Sequence, residues 1–201
     1  MKILLYGGAF NPPHMGHVRI LESAIKEVEP DLTLVVPSDV SPHKKTEYVP
    51  FAHRAAMARC FLGCGGKVVV SWMEKCKNRR RSYTIKTLRR LRRRYPGSEI
   101  YMLIGSDSLL AFKTWKNWRR ILTMCTLVVA ARDDMPREVL EEALDELKSR
   151  GAGGILMNTQ PFDVSSSEIR ARLESGGNCT GLVPADVEEY IRKHGLYGTK
   201  Q

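Results

Sequence analysis

GGAFNPPHMGH, residues 7–17, joins an apolar run to a helical pattern. Residues 3–6 have the composition of a buried strand, and apolar residues recur after the stretch at helical spacing, at Val18, Leu21, Ile25 and Val28. The glycines let a backbone approach a ligand closely, and a helix N-terminus offers N–H groups and a positive dipole end to phosphate. Because His14 and His17 are three residues apart, they share one helix face. The stretch therefore predicts a polyphosphate-binding turn with two imidazoles beside the reacting phosphorus.

Other glycine or histidine motifs fit this stretch less well. A Walker A loop requires G-K-S/T, which the stretch lacks, and the dinucleotide fingerprint has a different glycine spacing. A zinc site built on the two histidines would need a nearby Cys, Asp or Glu to complete its ligand set, and none is suitably placed. A turn that merely contains two histidines is the remaining alternative.

Apolar, β-branched runs alternate with helical patterns along the chain. We predict strands at residues 2–6, 32–36, 67–72, 100–104, 126–131 and 154–157. We predict helices between them at residues 14–28, 51–62, 83–95, 108–122 and 136–149. This alternation is typical of an α/β fold in which a doubly wound parallel sheet carries helices on both faces. Ligands of such folds bind beyond the carboxyl ends of the strands at the switch point, where residues 7–17 would lie if the first strand is central.

Two short helices are predicted at the C-terminal end. Ser165-x-x-Glu168 is a capping box that starts a helix over residues 166–174, and Gly176-Gly177 ends it. Pro184 opens a last helix that runs to Lys193. We therefore expect a single domain, with a core over about residues 1–160 and a small helical C-terminal appendage over about residues 161–201.

Composition indicates an ordinary globular protein. Of its 201 residues, 43% are hydrophobic and 27% are charged. No apolar run approaches the length of a membrane span, and the sequence shows no signal-peptide pattern, so we predict a cytoplasmic protein. The five cysteines are scattered, which argues against a disulfide framework. Cys60 and Cys64 have the spacing of a metal-binding pair on a helix, but packing as small apolar residues is the favoured interpretation.

The net charge of +10 comes from one segment. Residues 75–94 contain eleven Lys and Arg and neither Asp nor Glu, which leaves the rest of the chain close to neutral. A general nucleic-acid binder more often spreads its basic residues over a face. A solvated helix face with an unusual charge bias is the favoured interpretation, with steering of anionic substrates as a side effect.

A second cluster, VSSSEIR at residues 164–170, has phosphate-binding chemistry. Serine hydroxyls and N–H groups at a helix start can hold phosphate, and Arg170 can bind phosphate oxygens with two donors. Taken alone, serines before a glutamate usually form only a helix cap.

Together the two clusters resemble the signatures of the H-x-G-H nucleotidyltransferase superfamily. The pattern G-x-F-x-P-x-H-x-G-H is met by Gly8, Phe10, Pro12, His14, Gly16 and His17. The cluster at residues 164–170 is similar to the superfamily's I-S-S-T-x-I-R, with Val164 in place of Ile and Ser167 in place of Thr. The superfamily includes adenylyltransferases for nicotinate mononucleotide and phosphopantetheine and several cytidylyltransferases. The resemblance implies a Rossmann-like sheet.

The middle of the chain resembles one family within that group, the bacterial nicotinate-nucleotide adenylyltransferases. The similar segments keep the family's order, at residues 37–44, 51–57, 82–84, 105–107, 115–118 and 196–197. The resemblance implies transfer of AMP from ATP to nicotinate mononucleotide, giving deamido-NAD and pyrophosphate. It also implies Mg²⁺ with ATP, held mainly by ATP oxygens and water.

The resemblance assigns roles to individual residues. It implies that His14, His17 and Arg170 are catalytic. ATP and its phosphates are expected to contact Gly7, Gly8, Ala9, Phe10, Lys44, Gly105, Asp107, Ser166 and Ser167. The nicotinate nucleotide is expected to contact Ser82, Tyr83, Thr84, Trp115 and Arg132. The chemistry of two of these side chains is consistent with the implied roles. The indole of Trp115 offers a stacking surface for the nicotinate ring, and the ammonium group of Lys44 can bind phosphate as a point charge. No set of protein metal ligands is expected.

The sequence leaves some alternatives open. The acceptor could be nicotinamide mononucleotide or phosphopantetheine, because composition does not distinguish them. An RNA-binding module on residues 75–94 would need interleaved aromatic residues, and only Tyr83 and Tyr95 qualify. A regulator that lost activity is disfavoured by the intact His14, His17 and Arg170. Trp118 is equally consistent with core packing and with ligand contact. Because family members are often dimers, the resemblance makes a homo-oligomer a possible assembly, but the sequence does not identify an interface.

Overall fold

The computed structural model describes residues 1–39, 49–75, 82–131, 135–158 and 164–199. Lys44, Arg132, Cys76 and part of the basic segment therefore lie outside the described residues. Among the residues that are described, no helix combines the length and the apolar character needed to cross a membrane.

A parallel sheet forms the centre of the molecule. Its six strands in the described chain are β1 (Lys2–Gly8), β2 (Leu32–Pro37), β3 (Val68–Val70), β4 (Glu99–Gly105), β5 (Thr126–Ala130) and β6 (Gly153–Met157). Their order is β3-β2-β1-β4-β5-β6, and every neighbouring pair is parallel. β1 is therefore central, and the connections leave β1 and β4 in opposite directions. This confirms the predicted doubly wound sheet, with its switch point between β1 and β4.

Helices connect the strands and close the chain. They are α1 (Met15–Val28), α2 (Phe51–Met57), α3 (Thr84–Arg94), α4 (Ser106–Leu110), α5 (Trp118–Leu122), α6 (Arg137–Lys148), α7 (Ser166–Glu174) and α8 (Ala185–Lys193). Three 3₁₀ segments lie at Ala58–Gly63, Phe112–Thr114 and Leu196–Gly198.

Side chains of β1 alternate between two apolar layers because successive strand residues point to opposite faces. Ile3 and Leu5 join the layer that contains residues of α3, α4, α5 and α6. Leu4 and Tyr6 join the layer beneath α1 and the 3₁₀ segment Ala58–Gly63. The two layers bury both faces of the sheet and hold the end of β1 in a fixed position.

A third apolar cluster attaches the C-terminal helices. Ile169 and Leu173 of α7 and Val187 and Ile191 of α8 are buried together with Met57 of α2. The cluster brings the start of α7 to the loop that follows β1. The extent of the appendage as a separate part of a single domain stays a prediction.

Three predicted elements differ from the structure. The predicted helix over residues 108–122 is wrong as one element, because Trp115 is extended (φ −73°, ψ 140°) and Asn117 is left-handed (φ 59°). Phe112, which is fully buried, anchors the break. The predicted helix over residues 51–62 turns into a 3₁₀ segment after Met57. The predicted strand over residues 67–72 pairs only at Val68–Val70, since it lies at the sheet edge.

Candidate active site

The loop after β1 is shaped by Phe10. The residue has φ 46°, and its ring is 1% exposed, so the chain turns sharply and inserts the ring into the core. The ring packs against Tyr6 and Phe61, with centroid separations of 5.3 Å and 5.0 Å. A Cβ on Gly8 would lie 2.8 Å from this ring, which explains the glycine. The ring of Phe10 therefore supports the loop, and any ligand contact at this position comes from its backbone.

His14 and His17 form a compact pair at the start of α1. Their ring centroids are 3.7 Å apart, and His14 is only 7% exposed. The backbone N–H of His14 donates to Nδ1 of His17 at 3.2 Å. Because Nδ1 accepts, a neutral His17 ring carries its proton on Nε2 and can donate it to an anion. The edge of Phe10, 5.4 Å away between centroids, packs against the same ring. The predicted pairing of the two histidines is confirmed.

Arg54 of α2 is a buried residue of this site to which the sequence analysis gave no role. It is 5% exposed, and its guanidinium donates to the carbonyl oxygens of Ala9 (2.7 Å), Ser38 (2.6 Å), Asp39 (2.8 Å) and Val49 (3.0 Å). Ala9 follows β1, whereas Ser38 and Asp39 follow β2. Arg54 thus joins two strand-end loops through their backbones. The sequence could not have identified this role of Arg54, because its partners are backbone carbonyls, which every sequence contains.

The start of α7 is held against the same loop. The Ser166 hydroxyl donates to the carbonyl of Pro12 at 2.9 Å, and Arg170 donates to the carbonyl of Asn11 at 2.8 Å. Arg170 also donates to the Ser167 hydroxyl at 3.2 Å. The predicted capping box is confirmed, since the Ser165 hydroxyl accepts from the Glu168 N–H at 3.2 Å and the Glu168 carboxylate accepts from the Ser165 N–H at 2.8 Å. Both predicted phosphate clusters therefore meet at one place.

Two further contacts from the C-terminal part reach this loop. The hydroxyl of Tyr197 donates to the side-chain oxygen of Asn11 at 2.6 Å, and the Met15 N–H donates to the carbonyl of Leu182 at 2.9 Å. Burial raises the pKa of Tyr197, although Arg170 and Arg54 lower it, so the hydroxyl keeps the proton that it donates. Asn11 is thus fixed both at its backbone and at its side chain.

The end of β4 supplies a second wall of the site. Gly105 ends the strand, Ser106 is fully buried, and Asp107 is exposed in the first turn of α4. The Ser106 hydroxyl lies 3.4 Å from Oδ1 of Asp107. Because β1 and β4 are adjacent and parallel, Asp107 lies at the same edge of the sheet as the loop after β1. In the described residues, no group of three or more His, Cys, Asp or Glu is arranged to hold a metal.

The residues predicted for the nicotinate nucleotide fall at the start of α3 and after α4. The Asp39 N–H donates to the Ser82 hydroxyl at 3.2 Å, which joins the loop after β2 to α3. The Tyr83 ring lies 4.9 Å from Nζ of Lys116, the residue after Trp115. Trp115 is half-buried against Phe112, with centroids 5.2 Å apart. The tyrosine and tryptophan segments are therefore neighbours in space.

Glu74 forms a partly buried polar contact with α3. It accepts from the Thr87 hydroxyl, and Arg90 donates to the adjacent Met73 carbonyl. Burial raises the pKa of Glu74, while Thr87, Ser82 and Arg90 oppose the increase. These contacts fix the orientation of α3 and hence the position of Ser82 and Tyr83.

Known proteins share this sequence pattern and this fold. Residues 5–172 match the model of the cytidylyltransferase-like family. The probable nicotinate-nucleotide adenylyltransferase of Gemmatimonas aurantiaca is 34% identical over 198 residues, which cover 98% of this chain and 92% of that protein. The one of Geobacter sulfurreducens is 35% identical, with 98% of each chain covered.

A solved structure supports the same fold. The nicotinic acid mononucleotide adenylyltransferase of Plasmodium falciparum, complexed with APC, superposes with a TM-score of 0.81 at 18% identity, covering 99% of this chain and 98% of that one. The site at the β1–β4 switch point, the match to the family model and the near full-length similarity agree, and the chain belongs to the nicotinate-nucleotide adenylyltransferase family of cytidylyltransferase-like proteins.

Proposed function

We propose that this protein transfers the AMP group of ATP to nicotinate mononucleotide, giving deamido-NAD and pyrophosphate. The observation that carries the proposal is the pair His14 and His17 at the start of α1, beyond the carboxyl end of the central strand. The names of the relatives support the choice of acceptor. So does a fold neighbour from Plasmodium falciparum that was solved with NaAD.

The reaction needs positioning and charge stabilisation more than proton transfer. A phosphate oxygen of nicotinate mononucleotide forms a bond to the α-phosphorus of ATP. The bond from that phosphorus to the bridging oxygen of the β-phosphate breaks, and its electron pair leaves with pyrophosphate. Since the attacking oxygen is already anionic, no general base is required. The protein holds the two anions in line and stabilises the charge that develops.

The described residues supply donors for that charge. The Nε2–H of His17, the His14 ring and the N–H groups at the start of α1 and of α7 are the groups that would contact phosphate oxygens. The Arg170 guanidinium holds the carbonyl of Asn11 and would use its remaining donors on the β- and γ-phosphates. Ser166, which donates its hydroxyl to Pro12, would contribute through its backbone N–H.

Magnesium fits the donor set at the β4 end. Mg²⁺ usually takes one or two carboxylates together with substrate phosphates and water, and the exposed Asp107 provides one carboxylate there. Asp107 is the residue that would hold the ion with the ATP phosphates. The bound ion neutralises phosphate charge.

The acceptor would lie beside Trp115 and the start of α3. The half-buried indole of Trp115 would stack with the pyridine ring, and the backbone N–H groups near Tyr83, Thr84 and Trp115 would bind its carboxylate.

A cytoplasmic location is part of the proposal, because thiols stay reduced there. The described cysteines that are free thiols are Cys60, Cys64, Cys125 and Cys179.

Pyrophosphate release tests the proposal. The protein is mixed with ATP and Mg²⁺, and nicotinate mononucleotide, nicotinamide mononucleotide and phosphopantetheine are compared as acceptors. A strong preference for the nicotinate form is expected. Activity with another acceptor alone would contradict the assigned acceptor and keep the phosphate chemistry. Absence of release with all three would contradict the enzymatic assignment itself.

A further inference from the structure

Three arginines surround a cavity on the helix layer outside the proposed active site. The cavity is open to solvent and has a volume of about 460 Å³. It is lined by the exposed residues Arg89 of α3, Asn117, and Arg119 and Arg120 of α5, and by the half-buried Trp118. Arg89 lies in the middle of α3, between Tyr83 at its start and Arg92, which donates to the carbonyl of Met124 before β5. The cavity therefore opens on the outer surface between two helices and not at the ends of the strands.

The guanidinium groups at this cavity lack the ion pairs that several other arginines of the described chain make. Arg137, Arg150 and Arg192 pair with Glu141, Glu146 and Glu188, and Arg54 and Arg92 bind backbone carbonyls. Within the residues that the structure describes, Arg89, Arg119 and Arg120 have no carboxylate within ion-pair distance. Three arginines without an ion-paired carboxylate thus line one cavity, which favours a polyanion there.

The side chain of Trp118 lines this cavity and is held in place by packing against the core. The Arg119 guanidinium lies 4.5 Å from the centre of the Trp118 ring, and that of Arg150 lies 5.9 Å from it on the α6 side of the molecule. Trp118 is half-buried and packs against the core, so it restrains Arg119 by a cation–π contact. Asn117, in a left-handed conformation with φ 59°, sets the direction in which α5 begins. Restraint of an arginine before binding lowers the entropy cost of binding.

The chemistry of the lining identifies the class of ligand. A guanidinium group can donate two parallel hydrogen bonds to the oxygens of one phosphate. A cavity of about 460 Å³ has the size of a small-molecule site. The indole of Trp118 and the amide of Asn117 provide apolar surface and hydrogen bonds that an inorganic anion would leave unused. We propose that the cavity between α3 and α5 is a second binding site, distinct from the active site, for an organic ligand that carries at least two phosphate groups.

Fluorescence of Trp118 tests this proposal directly. The protein has three tryptophans, so the double variant Trp72→Phe/Trp115→Phe leaves Trp118 as the only indole. This protein is titrated at constant ionic strength with ADP, with inorganic tripolyphosphate and with a short single-stranded oligodeoxynucleotide. The expected result is a saturable change in Trp118 emission, with tighter binding of ADP than of tripolyphosphate.

Matched variants separate this cavity from the active site and from general charge effects. In the same background, Arg119→Ala/Arg120→Ala should weaken ADP binding at the cavity roughly tenfold or more, because charged hydrogen bonds are lost. Arg119→Lys/Arg120→Lys keeps the charge but loses the paired donors, and it should restore only part of the affinity. The control Lys26→Ala/Arg59→Ala removes two exposed cations from α1 and the 3₁₀ segment on the opposite side of the sheet and should leave the affinity unchanged.

Several results would overturn the proposal. They are the absence of a saturable change with ADP, an equal loss of affinity in the Lys26→Ala/Arg59→Ala control, full ADP affinity in Arg119→Ala/Arg120→Ala, and equal or tighter binding of tripolyphosphate. Binding of the oligonucleotide alone would also overturn it and assign the cavity to a nucleic acid.

Discussion

At the scale of single residues, His17 links local geometry to the proposed chemistry. Its Nδ1 accepts from the His14 N–H, so a neutral His17 ring carries its proton on Nε2, and we propose that this N–H donates to phosphate. We expect His17→Ala to lower kcat by about a hundredfold or more, the magnitude typical of one lost oxyanion donor. Steady-state pyrophosphate release measures the effect, and thermal unfolding checks that the fold persists.

His194→Ala is the matched control for this variant. His194 is exposed at the end of α8 and is expected to leave kcat unchanged. A near-normal kcat in His17→Ala would show that His17 does not stabilise the transition state.

Arg54 is the residue whose importance depends most on tertiary contacts. Arg54→Met keeps the aliphatic stem but removes the donors from four buried or partly buried carbonyls, so we expect a loss of about 3 kcal/mol in the free energy of unfolding. Arg54→Lys should recover only part of this, because an ammonium group lacks the fork of donors. Urea unfolding and the KM for ATP are measured together, with exposed Arg59→Met as the control. Unchanged stability and KM would refute the positioning role.

At the scale of elements, Ser166 and Arg170 of α7 contact the loop after β1, and the N-terminal cap of α7 stabilises the turn that carries Ser166. Ser165→Ala removes the hydroxyl that accepts from the Glu168 N–H, and the expected cost is about 1 kcal/mol. Because fraying of the first turn moves Ser166 and Arg170, we also expect a higher KM for ATP. Ser175→Ala, near the other end of the helix, is the control. Equal effects of the two variants on KM would contradict this explanation.

The contact between Tyr197 and Asn11 joins the last 3₁₀ segment to the same loop. Tyr197→Phe leaves the buried Asn11 oxygen without this donor, and we expect a loss of about 1–3 kcal/mol in the free energy of unfolding. Chemical denaturation measures the loss. Half-buried Tyr101, whose hydroxyl donates to the Glu99 carboxylate in a solvent-exposed hydrogen bond, provides the control Tyr101→Phe, for which little change is expected. A variant Tyr197→Phe as stable as the wild type would show that the contact contributes nothing.

At the scale of the whole molecule, the buried thiols couple stability to pH. Burial raises the pKa of Cys125 to about 12 and that of Cys64 to about 12, from the usual 9.0. Above pH 9 the unfolded chain loses these protons while the folded chain keeps them, so the unfolded state binds fewer protons. The contribution of these thiols to the free energy of unfolding is fully present below pH 9. It is lost as the pH rises from 9 towards 12, by about 1.4 kcal/mol per pH unit for a fully buried thiol.

Urea unfolding at pH values from about 8 to about 11, around the usual thiol pKa of 9.0, measures this dependence. Cys125→Ala is less stable at low pH because a buried group is lost, but its stability should fall less steeply with pH. An unchanged slope would contradict the coupling of Cys125 to stability.

The sequence by itself determined the parallel α/β class, the paired histidines and the capping box of α7. Each of these depends on residues close together in the chain: the strand and helix periodicities, the three-residue spacing of His14 and His17, and Ser165 with Glu168. The same local reasoning was wrong for residues 108–122, where burial of Phe112 and the left-handed Asn117 outweigh helical spacing.

Only the tertiary structure decided how the site is assembled. Arg54, Ser166, Arg170 and Tyr197 act on the loop after β1, and all four come from distant parts of the chain. The first three bind backbone carbonyls, which are identical in every sequence and leave no pattern. The cavity of Arg89, Arg119 and Arg120 likewise exists only because α3 packs beside α5. Local spacing determines which chemical groups are available, whereas packing determines which of them meet.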